Sequence, residues 1–553
     1  MDRANKIFKF ANYNYPSMKK ITLMLLLCVF AGIQFQAQKL SDEIKLTSGE
    51  PYKVVDAKSK EYIGVGDGAT ISVKTRGELV IIQRYDTQSM TETDRFEYED
   101  FPPYLKFEDL EMINGHLYYF FSSYIKKEKK FEIYAREVNV NTAKFSDFVR
   151  LAQSEGTVIN KNAVTFGKQA IAGTLPSHFT ITPAFDESKF LVSYKRKPIK
   201  RKNSENKDVL GFFMFDDALS PIWGQEVELP YTEDQFLINA LACTAKGTAH
   251  ILGKLKEDNQ FVMLSMDQDA RIKNVALDIN AELFFQEFKI TEDGDGNLNV
   301  AGIYANGIDY KVSWNGSGSL SFNTNGILIS KVDPFTGVLD KEDHEFSIDL
   351  INLYQSQRQK DKNEKREEDG KAGINDLVMK EFISYKDGSA LVLAEQDFYR
   401  SEYIFGKGQI TVHRYEDIIM LRTKPNGTLD WVRRLPKTQI AEHTLKNGCG
   451  IKYASSPTGH YVLFLDNVNN AEIGPDDVPA SHKDGKGGFL TAYKIADESG
   501  ESEKYTIANI LDINGTEAHQ FAPSRIFKVD ESVFLLEMYI KGKKDNMVKM
   551  EFN

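Results

Sequence analysis

At 553 residues the chain is long for one domain, so it is either several domains or one closed β ring, the architecture that absorbs such a length as a unit. Aromatics at 12% with only 16 prolines exclude a disordered chain. A net charge of −11 argues against broad nucleic-acid binding, which needs Lys and Arg in excess facing phosphate.

The first recognisable element is an export leader. "MKKITLMLLLCVFAGIQFQAQ" opens at Met18 with two lysines, runs apolar from Ile21 to Ile33, and reaches a small residue at Ala37. The run is shorter than the roughly 20 residues of a membrane span, and no later segment is long enough. We expect cleavage near Ala37–Gln38, with residues 1–17 an over-extended start and residues 38–553 the mature protein, although Phe35 is a poor fit three residues before the cut. Cys28 follows Leu-Leu-Leu rather than the small residue that lipid attachment wants. Removing 1–37 makes the chain more acidic and leaves two cysteines, Cys243 and Cys449, in small-residue strand contexts. These read as buried thiols in preference to a single bridge.

From there on, most segments alternate apolar and polar residues with the period of a strand, as in "GELVIIQRYD", "HLYYFFSSYI", "GFFMFD", "GSALVLAEQ", "HYVLFLDN" and "SVFLLEMYI". Turn dipeptides separate them: Asn114-Gly115, Asp387-Gly388, Asn426-Gly427 and Asn514-Gly515. Blade-like units fall near 50–98, 109–151, 178–232, 236–284, 286–352, 377–440, 447–513 and 520–553. The last has three strands, and "DEIKLTSG" near the mature start supplies a fourth that closes the ring and removes its exposed edge. The predicted fold is all-β, a single propeller of about eight four-stranded blades, with seven as the alternative count.

Within this order, "KRKPIKRKNSENK" (Lys195–Lys207) links two strands of one unit as an exposed basic loop. Its Lys195, Arg196, Lys197, Lys200, Arg201 and Lys202 are candidates for phosphate, acidic glycan or lipid A, against the plainer reading of a solvated tip. "TEDGDGNLNV" (Thr291–Val300) spaces Asp293, Asp295 and Asn297 like a calcium loop, but Leu298 and Tyr304 stand where Gly and Glu belong, and a hairpin turn is preferred. "QSQRQKDKNEKREEDGKAG" (Gln355–Gly373) mixes both charges and cannot bury a face, so it reads as a solvated inter-blade insert, part helix.

A long loop joining two strands of the most regular blade follows at "AEQDFYRSEYIFGKGQITVHRYED" (Ala394–Asp417). Its Glu395, Gln396, Tyr399, Arg400, Tyr403, His413 and Tyr415 combine aromatics with convergent polar groups, the composition of a carbohydrate or peptide site. The plainer reading packs the tyrosines over a neighbouring blade. "LDNVNNAEIGPDDVPASHKDGKGG" (Leu465–Gly488) brings Asp466, Asn467, Asn469, Asn470, Asp476, Asp477 and His482 together for a cation or sugar, or is simply a long surface loop. Asn315, Asn426 and Asn514 match the glycosylation sequon but read as turns, since the short Lys-Lys leader looks bacterial.

One corner recurs. "FFMFDDALSPIWGQEVELPY" (Phe212–Tyr231), "GILISKVDPFTGVLDKEDHEFSIDL" (Gly326–Leu350) and "DIIMLRTKPNGTLDWVRRLPKTQ" (Asp417–Gln439) share an order of strand, turn and outer strand, ended by Leu-Pro in the first and third. In the third, Asn426-Gly427 turns the chain, Leu429 and Trp431 are expected to cover the seam with the next blade, and Pro436 ends the strand where a missing N–H faces water. "TGVLD" (Thr336–Asp340) and "NGTLDW" (Asn426–Trp431) resemble the Gly-x-Leu-x-Trp corner of quinoprotein-type propeller repeats, with Lys341 where a Trp would stand and no matching Gly in the 212–231 copy. Such repeats also occur in envelope propellers that help outer-membrane assembly, and the mature chain resembles uncharacterised secreted propellers of Bacteroidota.

Catalytic signatures are absent from the sequence. There is no His-Glu-x-x-His, no zinc-spaced His/Cys pair, no Gly-x-Ser-x-Gly elbow, no phosphate loop, and no adjacent cysteines of a quinone dehydrogenase. No cofactor or metal is expected. The reading is a binding or assembly platform, periplasmic or outer-membrane-associated, with an envelope protein or glycan as partner. The alternative is a polysaccharide hydrolase or lyase whose acid and base come from separate blades, and a third reading is a structural subunit of an outer-membrane complex.

Overall fold

The computed structural model describes residues 41, 44–66, 68–159, 178–200, 202–269, 271–280, 282–312, 318–404, 408–442, 448–456, 459–483 and 487–552. The leader at 18–37, Cys28, Arg201, Asn315 and His443 lie outside them.

Eight four-stranded antiparallel blades form a ring, and within each of the first seven the four blade strands pair in chain order. Blades one to seven span 59–98, 106–153, 180–232, 236–277, 284–345, 377–435 and 452–509. Blade eight joins Ile526–Asp530, Val533–Ile540 and Lys544–Phe552 to the N-terminal strand Ile44–Ser48. The closing register runs from Ile44 opposite Phe552 to Ser48 opposite Val548, so strands from opposite ends of the chain lock the ring.

The second and third strands of a blade are covered on both faces, which explains their composition. Gly459–Asp466, Phe261–Met266 and Leu298–Ala305 are buried throughout and carry almost continuous apolar runs rather than the alternation expected above. The fourth strand meets water, as in Lys273–Leu277, where only Leu277 is buried. The core is a set of seams. One joins Leu393, Met420 and Trp431 of blade six to Val462, Phe464 and Tyr493 of blade seven. Each such side chain, fully buried, contributes roughly 1.5–3 kcal/mol by leaving water.

The recurrent corner behaves as expected at Trp431 and not at Leu429. Trp431 is buried and its Nε1–H donates to Asp497 O at 2.9 Å in blade seven. Leu429 is 41% exposed. A bulge between the pairs Arg422–Trp431 and Thr423–Leu429 breaks the period-two alternation and turns Leu429 outward.

An antiparallel meander sorts its connections. Turns between first and second strands and between third and fourth fall at one end of the ring, here called the turn end. Loops between second and third strands and links between blades fall at the other, the loop end. The turn end is made of tight turns such as Asn114-Gly115, with φ 46° and 81°. The loop end carries the long insertions: the basic loop at 196–206, a hairpin of Ile308–Val312 and Gly318–Thr324, the link 346–376, an overlong hairpin of Ala390–Ile404 and Gly408–Thr423, and the loop 467–488.

The charged insert is the helix Gln357–Glu367, preceded by the short helix Ile348–Asn352. It is held by polar contacts: buried Asn363 donates to Asn352 Oδ1 at 2.9 Å, and Lys360 meets Asp476 of blade seven at 2.5 Å. The candidate calcium loop is a turn. Asp293 accepts from Asp295 N and Asn297 N and pairs with Lys331 Nζ at 2.7 Å. Cys243 and Cys449 are buried thiols, and burial pushes Cys243 up to about 12.

Candidate functional site

Two of the groups singled out in the sequence lie at the loop end of the neighbouring blades six and seven, and in blade six bulges aim their side chains. In the first strand of blade six the register shifts between Met379 and Glu381, leaving Lys380 as the extra residue. Between the second and third strands it shifts from Glu395–Ile418 to Asp397–Tyr415, so Gln396 faces both Glu416 and Asp417 and the extra residue is on the third strand. Lys380 Nζ then reaches Glu395 Oε2 at 3.1 Å and Asp397 Oδ2 at 2.7 Å. Lys437 Nζ, fully buried, lies 2.7 Å from Glu395 Oε1 and 3.1 Å from Gln439 Oε1. Asp397 also pairs with His413 Nε2. Tyr399 and Tyr415 sandwich the His413 ring at 4.1 Å on each side.

The electrostatics follow from this pairing. Burial alone would raise the Asp397 carboxyl, but His413 and Lys380 outweigh it and hold it at about 2. Burial opposes charge on Lys380, yet Glu395 and Asp397 hold it protonated well above its ordinary value. Two lysines match two carboxylates, and Asp397, held ionised at about 2, is not poised as a base near neutral pH. The network fixes the root of the overlong hairpin and ties it to its neighbours: Lys289 of blade five donates to Lys380 O, and Gln439 donates to Leu465 O of blade seven.

Of the residues proposed from sequence, Glu395 and His413 are therefore inside this network. Gln396 points elsewhere and donates to Asn375 O. Tyr399 is half-buried against His413, and Arg400 is exposed beyond it. Asp466, Asn467 and Asn470 staple the blade-seven loop. Asp466 meets Lys504 Nζ at 2.8 Å and accepts from Asn470 Nδ2; Asn467 donates to Ser481 O; Asn470 exchanges bonds with Ala480. The two groups lie on neighbouring blades, bridged by Gln439. The basic loop belongs to blade three. Lys195 pairs with Asp208 and Glu233, and Arg196 with Glu226, while Lys197, Lys200 and Lys202 are exposed around Ile199, itself 88% exposed.

Sequence reasoning passed over Lys380, Asp397 and Lys437. It also passed over the charged lining of the bore, which sits on the first strands. Burial and Asp109 of blade two push the Glu61 carboxyl of blade one up to about 7, against the pull of Lys452 of blade seven. Blade eight separates blades seven and one, so the Lys452–Glu61 interaction runs across the bore. Lys452 also faces Glu381 of blade six, which feels Lys289 of blade five. A signal for such positions exists. A polar residue stands at the bulge of four first strands, Glu108, Asn239, Gln286 and Lys380, each within an otherwise regular strand. Two of these bridge to the next blade: Glu108 accepts from His178 N and Phe179 N, and Gln286 donates to Leu377 O.

No protein-family model matches the chain, and no curated protein does. Solved structures that it resembles include a prolyl endopeptidase, 10% identical over 95% of this chain with a TM-score of 0.35. Others are the WD40 domain of SCAP from fission yeast, 8% identical over 93% of this chain and 99% of that one with a TM-score of 0.34, and an acylaminoacyl peptidase of Pyrococcus horikoshii, 9% identical over 90% of this chain with a TM-score of 0.34. The chain spans 60% and 58% of the lengths of the two peptidases. At such identities and TM-scores these likenesses carry no argument about chemistry.

Proposed function

We propose that the protein is a non-catalytic binding or assembly platform of a bacterial cell envelope, exported by its leader and retained in the periplasm or at the outer membrane. One observation carries this reading: the long insertions crowd the loop end, and their buried charges are matched within rigid networks. Such a surface presents a shaped, ordered set of loops to a protein or glycan partner. The overlong hairpin, with exposed Arg400 at its outer part, and the basic loop of blade three are the parts we expect to touch that partner. The test is a gentle crosslinking pull-down of the tagged protein from native envelope. A stoichiometric outer-membrane partner, lost when the hairpin beyond Asp397 is shortened, supports the platform; a clean monomer overturns it.

A second reading, a polysaccharide hydrolase or lyase, is favoured by the bore. A carboxyl near neutral pKa beside a second carboxylate from the next blade is the pairing that acid–base cleavage of a glycosidic bond uses. Release of reducing ends from an envelope or dietary polysaccharide, abolished by Glu61→Gln, would establish it; no release from either panel dismisses it.

A further inference from the structure

The ring shuts where three distant parts of the chain meet. Tyr52, in the segment after the N-terminal strand, donates to Glu537 Oε1 of blade eight at 2.6 Å. Tyr62 of blade one donates to Oε2, and Lys74 Nζ of blade one stands 2.5 Å from Oε1. Glu537 and Lys74 are fully buried. Burial would raise the Glu537 carboxyl, but Lys74 and Lys60 outweigh it and hold it at about 2.

Asp545 lies in the same seam, equally buried, with its backbone paired to Tyr52 and Tyr539. Neither of its carboxylate oxygens receives a hydrogen bond from the described residues. Its nearest cation is Lys60 Nζ at 3.7 Å, shared with Glu537 at 3.9 Å. Glu537 beside it in blade eight, Lys60 and Lys74 from blade one and Arg525 from the link into blade eight act on it directly, while Tyr52 of the N-terminal segment and Tyr62 and Tyr85 of blade one face Glu537. An ionised carboxylate buried without a donor is costly, whereas the neutral acid is not.

We propose that Asp545 makes the seam a proton-operated latch, which when protonated holds Tyr52 and the N-terminal strand closed and when ionised loosens them. Burial and the Glu537 carboxylate push Asp545 up to about 6 from its ordinary 3.8. An acid raised in the folded state disfavours its own ionisation there. Closure is therefore strongest below that value and weakens as pH rises through it, whereas the contribution of Glu537 is lost only in much stronger acid.

The test is amide hydrogen exchange on the full chain, corrected for its intrinsic pH dependence, read at residues 44–53 and 544–552. The opening constant of these strands should rise roughly tenfold between about pH 5 and about pH 7.5. Strand 390–404 of blade six should not change over that range. Asp545→Asn should remove the pH dependence and keep the seam closed at both values. Lys60→Met should move the midpoint to higher pH, because Lys60 favours the ionised form. The same pH dependence in the parent and Asp545→Asn, a change spread evenly along the chain, or a Lys60→Met midpoint moved downward would each overturn the proposal.

Discussion

Two buried ionic clusters sit in this ring, and they are built differently. At blade six, Glu395 and Asp397 share Lys380, and each has a further partner, Lys437 for one and His413 for the other. At the closing seam, Glu537 takes three donors while Asp545 takes none. The same residue types therefore make a permanent staple in one place and a titrating group in the other. What separates them is how closely the cations approach, with Lys437 and Lys380 at 2.7 and 3.1 Å from Glu395 and Lys60 at 3.7 Å from Asp545, since burial penalises an acid in both places.

The comparison can be broken most severely at Lys437. Lys437→Met leaves Glu395 buried with only one of its two cations, and we expect a loss of about 3–5 kcal/mol in urea unfolding. A loss of less than about 1 kcal/mol would mean that the Lys437–Glu395 pair does not hold the blade-six network together. Next comes acid. Asp397 is depressed, so its stabilisation is present above the ordinary carboxylate range and is lost as pH falls toward about 2. Asp397→Asn should be less stable than the parent near neutral pH, and the gap should close on acidification; a gap independent of pH contradicts the assignment.

The seam should answer with the opposite sign. Asp545→Asn is expected to raise the thermal midpoint above about pH 6 and to lose that advantage below it. A lower midpoint at pH 7.5 would show that the ionised form is stabilised after all. The smallest effect belongs beyond the network. Arg400→Ala on the exposed part of the hairpin should shift stability by no more than about 0.5 kcal/mol, and a larger shift would extend the staple outward.

The ring itself was legible because its marks are local. Asn-Gly and Asp-Gly turns, the Trp431 corner, and the isolated "DEIKLTSG" strand place the blades and the closure without any long-range information. The outward turn of Leu429 was not legible, because a bulge shifts register without leaving a residue that announces it. The ionic clusters were less legible still. Glu395 and His413 stood out by their loop composition, but Lys380 and Lys437 are single lysines in ordinary strand and link contexts. Lys74 and Glu537 are 463 residues apart, and only the closed ring makes them neighbours. Polar residues at first-strand bulges form one pattern, and it emerges only once the blades are aligned.

The pairing of Ile44–Ser48 with Lys544–Phe552 also sets an order of events in folding. A chain made from its N-terminus makes the second of these strands long after the first, once the seven other blades have been made. Until then blade eight has an open edge, and the apolar face of Phe534, Leu536, Val548 and Met550 awaits its cover. Loop closure across nearly the whole length makes this the slowest contact to find and the first route to misassembly between chains. A circular permutant opened in a link between two other blades would turn that long-range pairing into a local one and should refold faster at unchanged architecture.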